Sequence, residues 1–513
     1  MKSIRGRFIF TIGANVLRSV LSIAAGMLLA RWLGPSSYGN MAFLLGTFMG
    51  LRQLLDMGSS SAFFTFLSQR PRSKRFIMSF FVWLAIQFAI PLCVIGLLLP
   101  AQWVETIWQG EHRNLVLLAF AAAFLQNSVW PVFQQAGESQ RQTLWVQGVG
   151  VAVAGIHLLA VFLLWWLGNL GLYSIFAVIA LEYSLAAVMA HRRFQYRRSD
   201  LLDGVPEPGF RKYLSYCLPM ISYSAIGFAY TFADKWLLQI YGGGVQQAYY
   251  AVGAQFSGIA LIATSSILSI FWKEIAEAHH RGDRARVGKL YRKVSRLLFL
   301  VGAMIAGFLI PWSEPLLRLM LGAAYAGGAM TMAIMFLYPV HQSMGQIGGT
   351  MLLATERVSL QVIIGIVFMV VSMAVTYLVL APGNATVPGL GLAAGGLALK
   401  MVVMQLIQVN VIAYIIARIW DWPFDWVYQP VSLLGCAGLG WVAHAASTCL
   451  ASGTWPLPVV MGLGGLVYLF LMAAFVCAMP WLAGLTQDEL LSDAGKVARR
   501  TMGIFMPKRM HVN

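Results

Sequence analysis

The sequence predicts an all-α polytopic membrane protein of about fourteen transmembrane helices, and three observations carry that prediction. Hydrophobic residues fill 59% of the 513 positions and charged residues only 11%, too little polar surface to cover a soluble globule of this size. Apolar runs of about 20 residues, the length that crosses about 30 Å of hydrocarbon at 1.5 Å per residue, recur along the whole chain. Lysine and arginine alternate sharply between the loops of one side and those of the other.

In order, the apolar runs cover approximately 8–32, 41–66, 76–99, 115–135, 144–167, 172–190, 214–241 and 248–271. The remainder cover approximately 297–317, 329–353, 360–380, 390–416, 431–448 and 457–478. Of the 36 lysines and arginines, all but seven fall at the two termini or in the even-numbered loops. Three of those seven, Arg31, Arg113 and Arg318, lie opposite, and four lie inside the spans. An even span count and this asymmetry agree in placing both termini in the cytoplasm. Lys2, Arg5 and Arg7 before an apolar run resemble a signal peptide, but the run is long, contains Arg18 and has no convincing cleavage site, so it is read as a first transmembrane helix.

The net charge of +17 is a topology signal, because its residues sit in short loops with no aromatic and basic module that would read bases; nucleic acid is excluded as a partner. Cys93, Cys217, Cys436, Cys449 and Cys477 lie singly in or beside spans and show no metal-ligand spacing. No cofactor or metal is expected.

Arg18, Arg52, Lys235 and Lys400 are the four cations inside the spans. Each costs about 2.5–3.5 kcal/mol at a helix centre, so such residues persist where they face a polar cavity or a partner, and they mark an anionic-substrate pathway. Arg18 and Arg52 both reach mid-membrane in the first hairpin. Two like charges about 8 Å apart repel by about 2 kcal/mol at an effective dielectric of 20, a tension that a bound diphosphate relieves. The competing reading pairs Arg52 with Asp56 one turn away and lets Arg18 snorkel; both stand at this stage.

One weak internal repeat is visible. Ala136-Gly137-Glu138, Gly171-Leu172 and Ala180-Leu181-Glu182 match Ala354-Thr355-Glu356, Gly389-Leu390 and Ala398-Leu399-Lys400 at a single offset of 218 (356 − 138). The repeat predicts two pseudo-symmetric six-helix lobes, 1–212 and 213–420, followed by two further helices in 421–480 and a cytoplasmic tail in 481–513. It sets Glu182 and Lys400 at equivalent points, each about eleven residues or 16 Å in from the external end. Opposite charges so placed make a gate if they pair across the cleft in one state, and two unrelated local charges if they do not.

Several landmarks resemble a known family. Ala30-Arg31-Trp32-Leu33-Gly34-Pro35-Ser36-Ser37-Tyr38-Gly39 looks like the turn that closes the first helix in Wzx-type polysaccharide flippases of the MOP (multidrug/oligosaccharidyl-lipid/polysaccharide) exporter superfamily. Leu55-Asp56-Met57-Gly58, Gly137-Glu138-Ser139-Gln140-Arg141, Asp234-Lys235-Trp236-Leu237-Leu238 with Tyr249, and Leu321-Gly322-Ala323-Ala324-Tyr325 follow in the family's order. Physically, Gly34 suits a left-handed helix end and Pro35 cannot continue that helix, while Arg31 and Tyr38 suit the headgroup interface. The resemblance covers about twelve spans and leaves helices thirteen and fourteen without a landmark.

What the resemblance implies is a flippase of the bacterial inner membrane. It moves an undecaprenyl-diphosphate-linked oligosaccharide repeat unit to the outer leaflet, for surface or exopolysaccharide assembly, by alternating access of the two lobes. No bond is made or broken, so the chain is not an enzyme. Mapped onto these residues, Arg18 and Arg52 contact the diphosphate, since guanidinium forks pair with phosphate oxygens, and Lys400 adds a point charge. Asp56, Glu182 and Asp234 are candidates for proton or cation coupling, with Lys235 beside Asp234 either in that role or in a local pair.

His341 in helix ten joins the coupling candidates because Ser343, Gln342 and Gln346 make its helix polar and Pro339 frees a carbonyl; a packing histidine is the alternative there, as for His157 in helix five. Trp130, Tyr223, Tyr230 and Gln126 are sugar-contact candidates. Lys273–Arg296 reads as one amphipathic helix on anionic lipid headgroups, with a pathway glycosyltransferase or polymerase as a further partner. Thr486-Gln487-Asp488-Glu489 opens a tail helix with a capping pattern. Two other functions are weighed. A drug/cation antiporter of the same superfamily favours an acidic cavity, whereas intramembrane cations here outnumber carboxylates, and a polysaccharide polymerase needs catalytic groups in a large external loop, whereas the longest external segment carries only Glu105 and Glu111.

Overall fold

A single glycine divides the first element of the structure. The computed structural model describes residues 4–69, 74–193, 210–451 and 455–487. In it α1 (Ile4–Asp56) runs for 53 residues, about 80 Å at helical rise and more than twice a bilayer core. It bends at Gly34, whose φ of 75° and ψ of 168° lie in a region that is in practice open only to glycine. Pro35 follows, where a new first turn needs no N–H. The left-handed glycine expected here is thus correct in φ, but its ψ is extended rather than helical. After Met57 and Gly58, both at positive φ, α2 (Ser59–Gln69) completes the second span.

The next helices are α3 (Lys74–Cys93), α4 (Ala101–Ile107), α5 (Arg113–Phe124), α6 (Trp130–Ser139), α7 (Thr143–Trp166) and α8 (Leu172–Arg193). A π turn at Leu125–Val129 joins α5 to α6; Pro131 lacks the N–H that an unbroken α ladder needs there. α9 (Phe210–His280) repeats the device of α1, with 71 residues bent at Gly243 (φ 70°, ψ −177°). Then come α10 (Arg284–Leu309), α11 (Ser313–Leu321), α12 (Ala329–Met335), α13 (Tyr338–Ala354), α14 (Val358–Leu380), α15 (Ala393–Trp420), α16 (Tyr428–Leu450) and α17 (Leu457–Ala478).

Among the described residues no strand occurs, and eleven helical stretches are long and apolar enough to cross a membrane. One of them is the bent α1, which holds two spans, and α9 has length for two more, in line with the fourteen expected. Leu97, Leu434 and Phe470 are 81%, 72% and 74% exposed, which fits faces turned to acyl chains rather than water.

Two pairs of backbone positions resemble one another at spacings other than the 218 of the sequence match. Gly34 and Gly243 share one conformation 209 positions apart (243 − 34), and Arg141 (φ 60°) and Glu356 (φ 62°) form matching turns 215 apart (356 − 141). The sequence match at 218 aligned residue types, whereas the geometry aligns the left-handed turn residue, three positions away. A second expectation also changes: Lys273–Arg296 is not one helix, because Gly282 (φ 72°) ends α9 and Asp283 caps α10, accepting from the Arg286 N–H at 3.0 Å. Beyond Gln487 the expected tail helix lies outside the described residues.

The chain divides into two compact units. One holds residues 1–252, 317–328 and 365–400, and the other 253–316, 329–364 and 401–513. In the first, Phe43, Phe63, Phe120 and Phe176 are fully buried, and the Phe120 ring meets Phe48 at 5.5 Å and Phe88 at 5.7 Å. In the second, Phe299 and Trp312 are fully buried, and the two helices without landmarks pack on α10. A Cβ at Gly440 in α16 would stand 2.0 Å from Gly307 O, and the Tyr468 hydroxyl of α17 donates to Met304 O at 2.9 Å. Gly440→Leu is therefore expected to lose about 1–3 kcal/mol of stability through overpacking, read as a lower unfolding temperature in detergent. Gly438→Leu, where a Cβ meets nothing within 4 Å, is expected to leave it unchanged.

Candidate functional site

Three helices of the first unit converge on a buried ion pair. Asp234 on the first limb of α9 and Lys400 on α15 meet with Lys400 Nζ donating to Oδ1 at 2.8 Å and Oδ2 at 3.0 Å. Their side chains are 8% and 0% exposed. Thr376 on α14 places its hydroxyl 2.6 Å from Asp234 Oδ1 and 2.8 Å from Ser372 O, so its one proton serves either acceptor. The Tyr230 ring, one turn before Asp234, lies 4.6 Å from Lys400 Nζ and adds an attractive face to the cation. Charges held this far from water persist only when paired and hydrogen-bonded, and each member here meets that condition through the other.

This pair joins two residues that sequence reading had given separate roles, Lys400 at the diphosphate and Asp234 in coupling. It also alters the expected depth. α15 begins at Ala393 rather than 390, because Gly391 and Ala393 take positive φ. Lys400 is then seven residues in from its helix start (400 − 393) and Glu182 ten from that of α8 (182 − 172). The two residues thus stand at unequal distances from their helix starts.

Glu182 has a partner of its own. Its Oε2 lies 3.0 Å from His157 Nδ1 across α7 and α8, with Glu182 7% and His157 20% exposed at the side chain. Glu182 Oε1 has no hydrogen-bond partner among the described residues. The contact ties α7 to α8 inside the helix bundle.

Arg18 is half-buried against α7, where a Cβ at Gly150 would touch its Cδ at 3.6 Å. With the Gln134 amide oxygen turned toward them, it accepts from Arg18 Nη1 at 3.3 Å and Trp130 Nε1 at 3.2 Å. Arg52 is half-buried, and no hydrogen bond or ion pair holds it among the described residues. Asp56, one turn on, is engaged elsewhere: its Oδ1 accepts from the Ser59 hydroxyl at 3.0 Å, the Ser60 N–H at 3.0 Å and the Ser60 hydroxyl at 2.5 Å. It caps α2 across the break at Met57 and Gly58, which explains the landmark around it as a helix joint.

Lys235 points away from Asp234's pair. Its Nζ lies 4.6 Å from the Tyr250 ring, and its stem runs over Gly46, where a Cβ would stand 3.2 Å away. His341 belongs to the second unit; it is buried, its ring meets Phe299 at 5.8 Å, and its Nδ1 has no hydrogen-bond partner among the described residues.

A second network, absent from the sequence reading, ties together the ends of the helices that bend at Gly34 and Gly243. Gly39 and Gly244 touch backbone to backbone, since a Cβ at Gly39 would fall 1.7 Å from Gly244 O. Beside them Gln239 donates to Asn40 Oδ1 at 2.9 Å and Asn40 donates to Glu111 Oε1 at 2.9 Å. Burial pushes the Glu111 carboxyl above its usual pKa, opposed by the Asn40 hydrogen bond and by His112. Trp236 donates to Ile107 O at 3.1 Å, Tyr325 to Ala30 O at 2.8 Å and Arg31 to Leu319 O at 3.3 Å. The first-hairpin turn and the Leu321–Tyr325 landmark are thus two halves of one contact.

Comparison with known proteins agrees with this architecture. A family profile described as "Polysaccharide biosynthesis protein" matches residues 5–272, just over half of the chain. No curated protein sequence matches it significantly. Among solved structures, the lipid II flippase MurJ in an inward closed conformation superposes with a TM-score of 0.64 at 14% identity, covering 91% of this chain and 99% of that one. An inward-facing multidrug resistance MATE family transporter of the MOP superfamily gives 0.63 at 14% identity, over 79% and 96%. A MOP superfamily transporter from Pyrococcus furiosus gives 0.51 at 13% identity, over 81% and 95%. At these identities the likeness establishes the fold.

Proposed function

The chain belongs to the polysaccharide biosynthesis protein family, and from that premise we propose that it is a transporter of the MOP superfamily that flips an isoprenoid-diphosphate-linked oligosaccharide across the bacterial inner membrane. Its two halves, 1–212 and 213–420, alternate access to the two faces, and both termini lie in the cytoplasm. The observation that carries this reading is Arg52, a guanidinium inside a span that no carboxylate or other hydrogen-bond partner neutralises among the described residues. A diphosphate supplies the charge that this position lacks. Arg18, tethered only through Gln134, offers a second fork.

In this reading Lys400 is held by Asp234 in the empty carrier and released when the diphosphate competes for the ammonium. Its departure leaves a buried carboxylate that must take up a proton or a cation, and this couples cargo to an ion. His157 and Glu182 form a second proton-carrying pair. Asn40, Gln239 and Glu111 close the external side. Intramembrane cations outnumber carboxylates four to three, and three to two once the Asp234–Lys400 pair is set aside, which argues for an anionic rather than a cationic cargo.

A deletion strain tests the function. The expected result is accumulation of the lipid-linked repeat unit on the cytoplasmic face with loss of surface glycan. Unaltered glycan with changed tolerance to cationic drugs would sink the proposal in favour of an antiporter.

A further inference from the structure

The ends of α9, α10, α14 and α15 border a cavity of about 400 Å³ in the second unit, lined by none of the intramembrane charges described above. Its wall includes Arg284 at the start of α10, Arg357 before α14, His279 at the end of α9, and Thr355 and Trp420. The volume falls in the range of about 300–1,000 Å³ found for ligand sites. Among the described residues no carboxylate lines it.

The local charge pattern leaves these two arginines over. Arg281 binds Glu277 at 2.5 Å, Arg286 binds Glu274 at 2.7 Å, and Asp283 is occupied by the Arg286 N–H at 3.0 Å. The acidic groups on this turn are thus spent on other partners, while the side chains of Arg284 and Arg357 have no hydrogen bond or ion pair among the described residues. Two guanidiniums, one at the start of α10 and one in the turn before α14, line one cavity with His279, and each carries the planar fork by which arginine recognises phosphate oxygens. His279 is held by an edge contact with Trp420 at 5.5 Å, and Trp420 stacks on Trp422 at 5.3 Å. This aromatic ledge stands where four membrane-length helices end, the depth at which amphipathic rings collect.

We propose that this cavity is a phosphate-binding site, separate from the export pathway, that takes a phosphomonoester or phosphodiester group. The group is carried either by the headgroup of an anionic phospholipid or by a water-soluble phosphate compound, and the ledge of Trp420 and Trp422 favours the lipid.

The test is titration of the full-length protein in detergent, by calorimetry, with dihexanoyl phosphatidic acid, glycerol 3-phosphate and, as the uncharged control, dihexanoylglycerol. Saturable binding of phosphatidic acid is expected, weakened at least tenfold in Arg284→Gln/Arg357→Gln and unchanged in Arg281→Gln. Binding of phosphatidic acid alone assigns the site to a lipid headgroup; equal or stronger binding of glycerol 3-phosphate assigns it to a soluble compound. The single variants Arg284→Gln and Arg357→Gln serve if the double variant does not fold, each with a smaller loss. Equal affinity of wild type and variants for both phosphate probes, or an equal loss in Arg281→Gln, overturns the proposal.

Discussion

Lys400→Met is expected to abolish export and to lower the stability of the folded chain by about 3–5 kcal/mol. The substitution strands the Asp234 carboxylate in a site where its side chain is 8% exposed, with only the Thr376 hydroxyl, among the described residues, left to hold it. Removal of one member of a buried pair typically costs that much, because the other charge stays behind without compensation. Asp234→Asn/Lys400→Met removes both charges at similar volume, and such replacements of buried pairs are often neutral or stabilising. The double variant is therefore expected to recover most of the unfolding temperature in detergent yet remain inactive in restoring surface glycan to a deletion strain. A double variant that exports normally would reduce the pair to a packing element.

Arg52→Ala is expected to behave in the opposite way. Arg52 has no acidic partner to strand, so the protein stays inserted and abundant, with a stability change within about 1 kcal/mol. Export falls about 100-fold, the equivalent of two charge-assisted hydrogen bonds of about 1.5 kcal/mol each. Arg52→Lys keeps the charge but loses the fork and is expected to lie between. Quantitative glycan export against membrane abundance checks both. The contrast matters more than either value: Lys400 is expected to couple stability to transport, and Arg52 to separate them.

Much of the fold was legible because its signals are local. Apolar runs, alternating basic loops and the Gly34-Pro35 step each act within a few residues, and the structure places bends or ends at them. The charged partnerships were not legible. Asp234 and Lys400 are 166 residues apart (400 − 234), and nothing in either segment reports which helix faces meet. The same holds for His157 with Glu182 and for Asn40 with Gln239. The apparent equivalence of Glu182 and Lys400 came from residue-type matches, whereas the start of α15 at Ala393 is set by positive-φ residues around Gly391. Asp56 is a different case. The run Asp56-Met57-Gly58-Ser59-Ser60 carries a glycine break and a capping acid, a signal that was present but masked by the apolar sequence on both sides.

The central claim is that cations inside the spans receive a diphosphate headgroup. The most direct measurement reconstitutes the purified chain in vesicles loaded on one leaflet with an isoprenoid-diphosphate-linked oligosaccharide, and follows its appearance on the other leaflet with a membrane-impermeant glycosidase. The account predicts protein-dependent transfer that Arg52→Ala reduces about 100-fold and that the monophosphate-linked analogue supports poorly. Equal transfer by wild type and Arg52→Ala, or equal transfer of an analogue with no phosphate, would contradict it.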